Sequence, residues 1–299
     1  MKKIKIIGLL LFTVLSNAQD IKLNGSVSAE NNQIKNIANP TEAQDAATKA
    51  YIDALIAEAV AGLQSQIDDL DTDNSSGTVT DQDGNSYPYL TYGYQVWTVK
   101  NAEMVTYRDG TEIPQVTDAT EWSNLTTGAW CYYNNDETKG KLYNWYAVMG
   151  IHDAASFSDA SLRKELAPEG WHVPSFAEWT PLENYLIDGG YNYDPSTEGN
   201  KIAKAVASTS GWNTSTVPGA PGNDQSSNNS SSFNAFPEGE RVGGDGLFRF
   251  KGYNAFFWSS AALSTDSGWY RNIYSQSSGT FGHSAYYKQN GFSVRFVRD

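Results

Sequence analysis

The chain has 299 residues, a net charge of −13 and a pI near 4.6. A surface this negative repels phosphate backbones and anionic lipid headgroups, which removes nucleic acid from the expected partners. Cys131 is the single cysteine, so no intrachain disulfide can form, and the length suffices for one large domain plus an appendage without such a staple.

The first expected element is an export signal over residues 1–18. Lys2, Lys3 and Lys5 precede an apolar run from Ile6 to Leu15, and Ser16-Asn17-Ala18 places small residues where a signal peptidase reads, predicting cleavage after Ala18. About ten apolar residues cannot cross a bilayer core that needs roughly twenty, and no later stretch approaches that length. Gln19 and Asp20, not a lipid-accepting cysteine, follow the cut. The expected product is soluble, secreted or at the cell surface, with no membrane span.

Residues 19–50 form an extended polar segment that ends in Asn39-Pro40-Thr41-Glu42-Ala43-Gln44-Asp45-Ala46-Ala47-Thr48-Lys49-Ala50-Tyr51-Ile52-Asp53. This run resembles an element found ahead of coiled coils in phage tail-fibre and bacterial surface proteins. Thr41, after Pro40 and before an Ala- and Glu-rich run, is an expected helix N-cap. A stalk and hinge over 51–76 follow. Ile56, Leu63 and Leu70 make one heptad stripe, Ile52 and Ala59 a second that breaks at Gln66, and Val60 and Ile67 widen the face. So broad a face on one helix needs partners, and the spacing predicts a short parallel coiled coil, a homotrimer through 52–70. The alternative is an amphipathic helix packed on its own head. Asp68, Asp69, Asp71 and Asp73 lead into Asn74-Ser75-Ser76-Gly77, a polar hinge; Asn74 and Thr80 stand where a calcium loop needs Gly and Glu.

The rest, 77–299, reads as an α+β head. Thr78-Val79-Thr80 and Gln95-Val96-Trp97-Thr98-Val99 are strand runs bracketing an Asp83-Gly84 turn. Pro174-Ser175-Phe176-Ala177-Glu178 has the form of a capping box with Ser175 as N-cap. Trp179, Leu182 and Leu186 then share a helical face, and Gly189-Gly190 ends it. Residues 213–232, rich in Ser, Asn, Gly and Pro, are expected to be a surface loop.

Four motifs in order, Gly140-Lys141-Leu142-Tyr143-Asn144-Trp145-Tyr146-Ala147-Val148, Gly170-Trp171-His172-Val173-Pro174-Ser175, Phe256-Phe257-Trp258-Ser259-Ser260 and Gly291-Phe292-Ser293-Val294-Arg295-Phe296, resemble those of the Fibrobacter succinogenes major paralogous domain. The resemblance implies a C-type-lectin-like mixed domain with antiparallel strands, in the version shared with formylglycine-generating enzymes, with adjacent N- and C-terminal strands. It does not carry their activity, because that chemistry uses a copper-binding cysteine pair and this chain has one cysteine. The Glu-Pro-Asn, Gln-Pro-Asp and Trp-Asn-Asp triplets of calcium-dependent lectins are missing from the sequence as well.

His152, His172 and His283 are dispersed without metal spacing, and neither a nucleophile elbow nor a phosphate-binding loop occurs. No cofactor or metal is expected, and the protein reads as a binder rather than an enzyme. His172 is expected to make a structural hydrogen bond to backbone; Trp145, Trp171, Trp179 and Trp258 to lie in the core; Arg295 and Arg298 to pair with buried acids or cap a sheet edge. The expected ligand-binding residues lie between Tyr253 and Gln289: Trp269, Tyr270, Arg271, Asn272, Tyr274, Tyr286 and Tyr287. Tyr and Trp there give contact area at low entropic cost, amid adaptable Ser, Asn and Gly. The same region is the mutable, ligand-contacting segment in similar lectin-like proteins of diversity-generating retroelements. The alternative is a β-meander whose aromatics pack on one another. The expected function is adhesion to an extracellular glycan or protein; the alternatives are a structural fibre subunit and a polysaccharide-acting enzyme.

Overall fold

The computed structural model describes residues 49–72 and 76–299. The expected signal at 1–18, the Thr41 cap and the hinge residues 73–75 lie outside the described residues, as does the polar segment apart from its last two positions. The chain divides into two units, Met1–Asp68 and Asp69–Asp299.

A helix, α1 (Lys49–Thr72), starts in the first unit and runs for 24 residues, its last turn falling past Asp68, about 36 Å at 1.5 Å per residue. Ile52, Leu55, Ile56, Val60 and Leu63 are 43–60% exposed. They recur at three- and four-residue steps, so one stripe of the helix is an uncovered apolar surface. Among the described residues no helix is long and apolar enough to cross a membrane.

The second unit begins with an antiparallel meander, β1 (Ser76–Thr80), β2 (Ser86–Tyr92) and β3 (Gln95–Thr98). The Asp83-Gly84 turn forms as expected: Gly84 has φ +85°, and the Asp81 carboxylate accepts from the N–H groups of Asp83 and Asn85 and from the Tyr87 hydroxyl. Sequence reading passed over β2, which contains Pro88. The Pro88 carbonyl accepts from Val99 N–H just beyond the end of β3, so the missing proline donor interrupts little of the ladder. Next come α2 (Ala119–Ser123), β4 (Trp130–Tyr132), β5 (Lys141–Tyr143), α3 (Trp145–Val148), α4 (Ala154–Ser158) and β6 (Trp171–His172). After α5 (Trp179–Asp188) and α6 (Ala203–Val206), β7 (Glu240–Arg241) and β8 (Phe248–Arg249) pair antiparallel. β9 (Asn254–Ala262), β10 (Ser267–Tyr274) and β11 (Thr280–Tyr287) form a three-stranded antiparallel sheet, with β10 central. The last strand, β12 (Val297–Arg298), lies between β3 and β6 in a five-stranded sheet, so the head's first and last strands share one sheet.

Strands β9 and β10 send buried residues to both faces of their sheet. Phe256, Trp258 and Tyr270 enter one core with Tyr143, Trp145 and Phe292, while Ala255, Phe257 and Ile273 enter another with Trp97, Trp179, Leu182, Leu186 and Phe233. Trp145, Trp171, Trp179 and Trp258 are all at most 4% exposed. Cys131 is buried too, and burial pushes its thiol up to about 12.

Four expectations are corrected. Helix α5 starts at Trp179, later than a Ser175 cap would place it. The Ser175 N–H does donate to Glu178 Oε2 at 2.7 Å, but the other Glu178 oxygen is held by His172. That ring bridges Glu178 Oε1 at 2.8 Å and Asp299 Oδ1 at 2.6 Å, so its partners are carboxylates, not backbone. Arg295 is bound by Asn101 Oδ1 and the carbonyls of Thr98, Phe233 and Asn234 rather than by acids; Arg298 lies over the Tyr89 and Trp171 rings. Finally, residues 213–232 are irregular, yet 219–222, Asn228 and Ser231 are buried. Lys204 Nζ donates to the carbonyls of Asn223 and Asp224, and Asn228 Nδ2 to those of Ser208 and Pro221. Lys204 from outside the loop and Asn228 within it satisfy backbone carbonyls there, so low apolar content did not mean exposure.

Candidate functional site

Side chains alternate along a strand, and directly opposed residues of neighbouring strands share a face. The register sets Trp258 against Tyr270, Phe256 against Asn272 and Asn254 against Tyr274. One end of this face is core: the Phe292 ring lies 4.3 Å from Trp258, 4.8 Å from Phe256 and 5.2 Å from Tyr270. Beyond Phe256 the core ends, and the face opens as a groove of about 470 Å³ lined by Phe250, Tyr253, Asn254, Asn272 and Tyr274. That volume falls in the range of small-molecule sites.

The Phe250 backbone is strained. Its φ is +60°, a left-handed conformation that costs a residue with a Cβ about 1–2 kcal/mol. Surrounding bonds hold it there: the N–H groups of Tyr253 and Asn254 both donate to the Phe250 carbonyl, and Gly252 is tied through its N–H to Pro237 and through its carbonyl to Asn213. Gly252 has φ +79°, and a Cβ there would come within 2.7 Å of Asn213 Oδ1. The turn keeps the Phe250 ring 48% exposed, beside Phe256 at 6.4 Å.

The lining holds three aromatics and two carboxamides and no charged group. Arg249 and Lys251 flank Phe250, but each is neutralised, by Asp245 at 2.5 Å and by Glu238 at 2.6 Å. Neither the Asn254 nor the Asn272 side chain has a hydrogen-bond partner among the described residues. Their donors and acceptors are therefore available to a ligand.

The seven residues expected from sequence do not form one surface. Asn272 and Tyr274 line the groove. Tyr270 and Arg271 are 9% and 3% exposed and serve packing on opposite faces of β10. Trp269 packs on Phe176 at 4.7 Å. Tyr286 packs against the first core beside Tyr270, and Tyr287, exposed, stands opposite Ser267. That is the far end of β10 from Tyr274, roughly 24 Å away at 3.4 Å per residue. Sequence reasoning missed Phe250 and Asn254 and had Tyr253 only as a boundary. The one available signal was Gly252, which marks a turn just before the strand.

Arg271 Nε lies 3.8 Å from Glu183 Oε1, and its guanidinium stacks on Phe176 at 4.4 Å. Burial pushes the Glu183 carboxyl up to about 7, against the opposing influence of Arg271 and of the Asn200 hydrogen bond. Burial also works against a charged His172, but hydrogen bonds to Asp299 and Glu178 outweigh it and raise that ring above its ordinary value. Neither group lines the groove.

The family model described as the Fibrobacter succinogenes major domain matches residues 90–298, from β2 through β12 and including every residue of the groove. No curated protein and no solved structure matches the chain.

Proposed function

We propose that this chain, which belongs to the Fibrobacter succinogenes major domain family, is an exported binding protein that holds an extracellular ligand in the groove of a C-type-lectin-like head. The observation that carries the reading is the strained turn that keeps Phe250 exposed at the groove. Strain of this kind persists where the surroundings enforce it, and it concentrates at ligand sites. Phe250→Asn tests this, because Asn tolerates the left-handed region. Relief of strain offsets the lost ring contact, so the variant should melt within a few degrees of wild type or above it, and its ligand affinity should fall at least tenfold. A clear loss of stability with unchanged binding would remove Phe250 from the site. The neighbouring positions of β3 and β12 and the mixed antiparallel architecture support the lectin-like assignment.

The exposed stripe of α1 supports a trimeric coiled-coil stalk, and the lysine-led apolar N-terminus supports export. Linked heads would multiply weak contacts to a repetitive ligand through effective concentration. Sedimentation of residues 19–299 should give a trimer, and Ile56→Asp with Leu63→Asp should give a monomer with an intact head. A monomeric parent would sink the stalk assignment.

A further inference from the structure

We infer that the ligand of the groove is a neutral sugar chain bound without a metal ion, with one ring stacked on the aromatic wall and its hydroxyls held by Asn254 and Asn272; this rests on the binding reading above. Phe250, Tyr253 and Tyr274 are 48%, 42% and 38% exposed. Three half-exposed rings around one groove are a costly way to build a surface unless something covers them. The cover must have an apolar face and a polar edge, because the same groove supplies two carboxamides. A pyranose with equatorial hydroxyls has both: its C–H bonds make the face, and its hydroxyls radiate from the edge.

The amides match that edge in number and kind. Each hydroxyl donates and accepts, and so does each carboxamide, whereas a carboxylate only accepts and an ammonium only donates. Asn254 stands opposite Tyr274, and Asn272 opposite Phe256, so the two amides are diagonal neighbours on adjacent strands. Diagonal positions lie roughly 7–8 Å apart, which lets one sugar ring lie between them. Tyr274, directly opposite Asn254, sets its ring beside that amide, and Phe250 closes the groove from the turn before β9.

Charge selects among sugars. With no charged lining residue, and with Arg249 and Lys251 both occupied by carboxylates, the groove offers nothing to a uronate or sulfate. The chain's net charge of −13 repels such polymers further. An axial hydroxyl makes the face that bears it polar and leaves the other apolar, whereas gluco- and xylo-configured rings present C–H bonds on both faces and can stack either way round.

Isothermal titration calorimetry of the full chain with cellohexaose, a trigalacturonate and an uncharged hexapeptide, each with and without chelator, tests the assignment. Cellohexaose should bind saturably and equally well with chelator, and Tyr274→Ala and Asn272→Ala should each weaken it at least fivefold. Trp269→Ala, across the sheet, should leave it within twofold. Circular dichroism and unfolding midpoints identify any variant that fails to fold, and Asn272→Asp, which keeps the shape and removes the donors, then takes the place of the alanine. Peptide binding that Tyr274→Ala abolishes, with no response to cellohexaose, would overturn the sugar and keep the groove. Tighter binding of the trigalacturonate than of cellohexaose would overturn the neutral class. Cellohexaose binding that chelator abolishes would overturn the metal-free mode. Binding of any probe that is indifferent to Phe250, Asn272 and Tyr274 would overturn both the sugar assignment and the groove beneath it.

Discussion

Replacing Arg295 by Met should lower the stability of the head by more than about 4 kcal/mol, and Arg295→Lys should recover only part of the loss. The side chain is 1% exposed. Its fork donates to Asn101 Oδ1 at 2.7 Å, to the carbonyls of Thr98 and Phe233 at 2.9 and 3.1 Å and to that of Asn234 at 3.0 Å. These acceptors come from the end of β3, the loop after it and the 233–234 segment, so one guanidinium ties three stretches of chain to the approach of β12. It also lies between the Phe233 and Phe257 rings, 4.9 and 5.6 Å from their centres. Methionine fills much of the volume but forfeits both ring contacts and strands four acceptors, of which the buried Thr98 and Phe233 carbonyls each cost about 1–3 kcal/mol without a partner. Lysine has no planar fork and cannot reach all four at once. Urea unfolding of the three proteins reads the difference directly. A methionine variant within about 1 kcal/mol of the parent would show that water replaces the guanidinium, and that Arg295 is not the tie described.

The role of Arg295 also marks how far sequence reasoning reached. An arginine between apolar residues was legibly special, but the expected role was to pair with a buried acid or cap a sheet edge, because charge is visible in a sequence and a convergence of backbone carbonyls is not. The α5 face could be read because Trp179, Leu182 and Leu186 repeat at helical spacing. The tyrosine-rich run was recognised as a unit but not resolved into faces. Period-two reading assumes one wet face, whereas β10 is covered on both at Tyr270 and Arg271 and opens into the groove at Asn272 and Tyr274. The other half of the groove comes from a turn whose key feature, a phenylalanine at φ +60°, has no sequence signature. For the same reason 213–232 looked wholly exposed: Asn228 and Ser231 tie it down by donating to the carbonyls of Ser208, Pro221 and Ala205, a role that composition does not show.

Stability should be greatest on the acidic side of neutrality and fall as pH rises from about 5 to 8, the opposite of acid denaturation. Glu183 sets the first part of the slope. Burial raises its carboxyl from 4.5 to about 7, so between those values the folded chain keeps a proton that the unfolded chain has released, and each increment of pH favours unfolding. At about 1.4 kcal/mol for each pH unit between the folded and unfolded values, with Arg271 close by, the loss is on the order of 1–3 kcal/mol. His172 continues the slope. Its value is raised above 6.5, so its contribution is fully present below 6.5 and disappears as pH climbs through the folded value. Glu178 sets the acid limit: burial opposes its charge, but the Ser175 and His172 hydrogen bonds lower it below 4.5, so its contribution holds above 4.5 and is lost as pH falls through the folded value. The maximum therefore lies at about pH 4.5 to 5, where Glu178 is charged and Glu183 still keeps its proton. General repulsion in a chain of net charge −13 acts in the same direction above neutrality, so two single variants decide the origin. Glu183→Gln should flatten the profile between pH 5 and 7, and His172→Gln should flatten it above 6.5, as read by urea midpoints across pH 4 to 9. If both variants keep the parent's slope, these two groups do not set it; a parent more stable at pH 8 than at pH 5.5 would refute the sign itself.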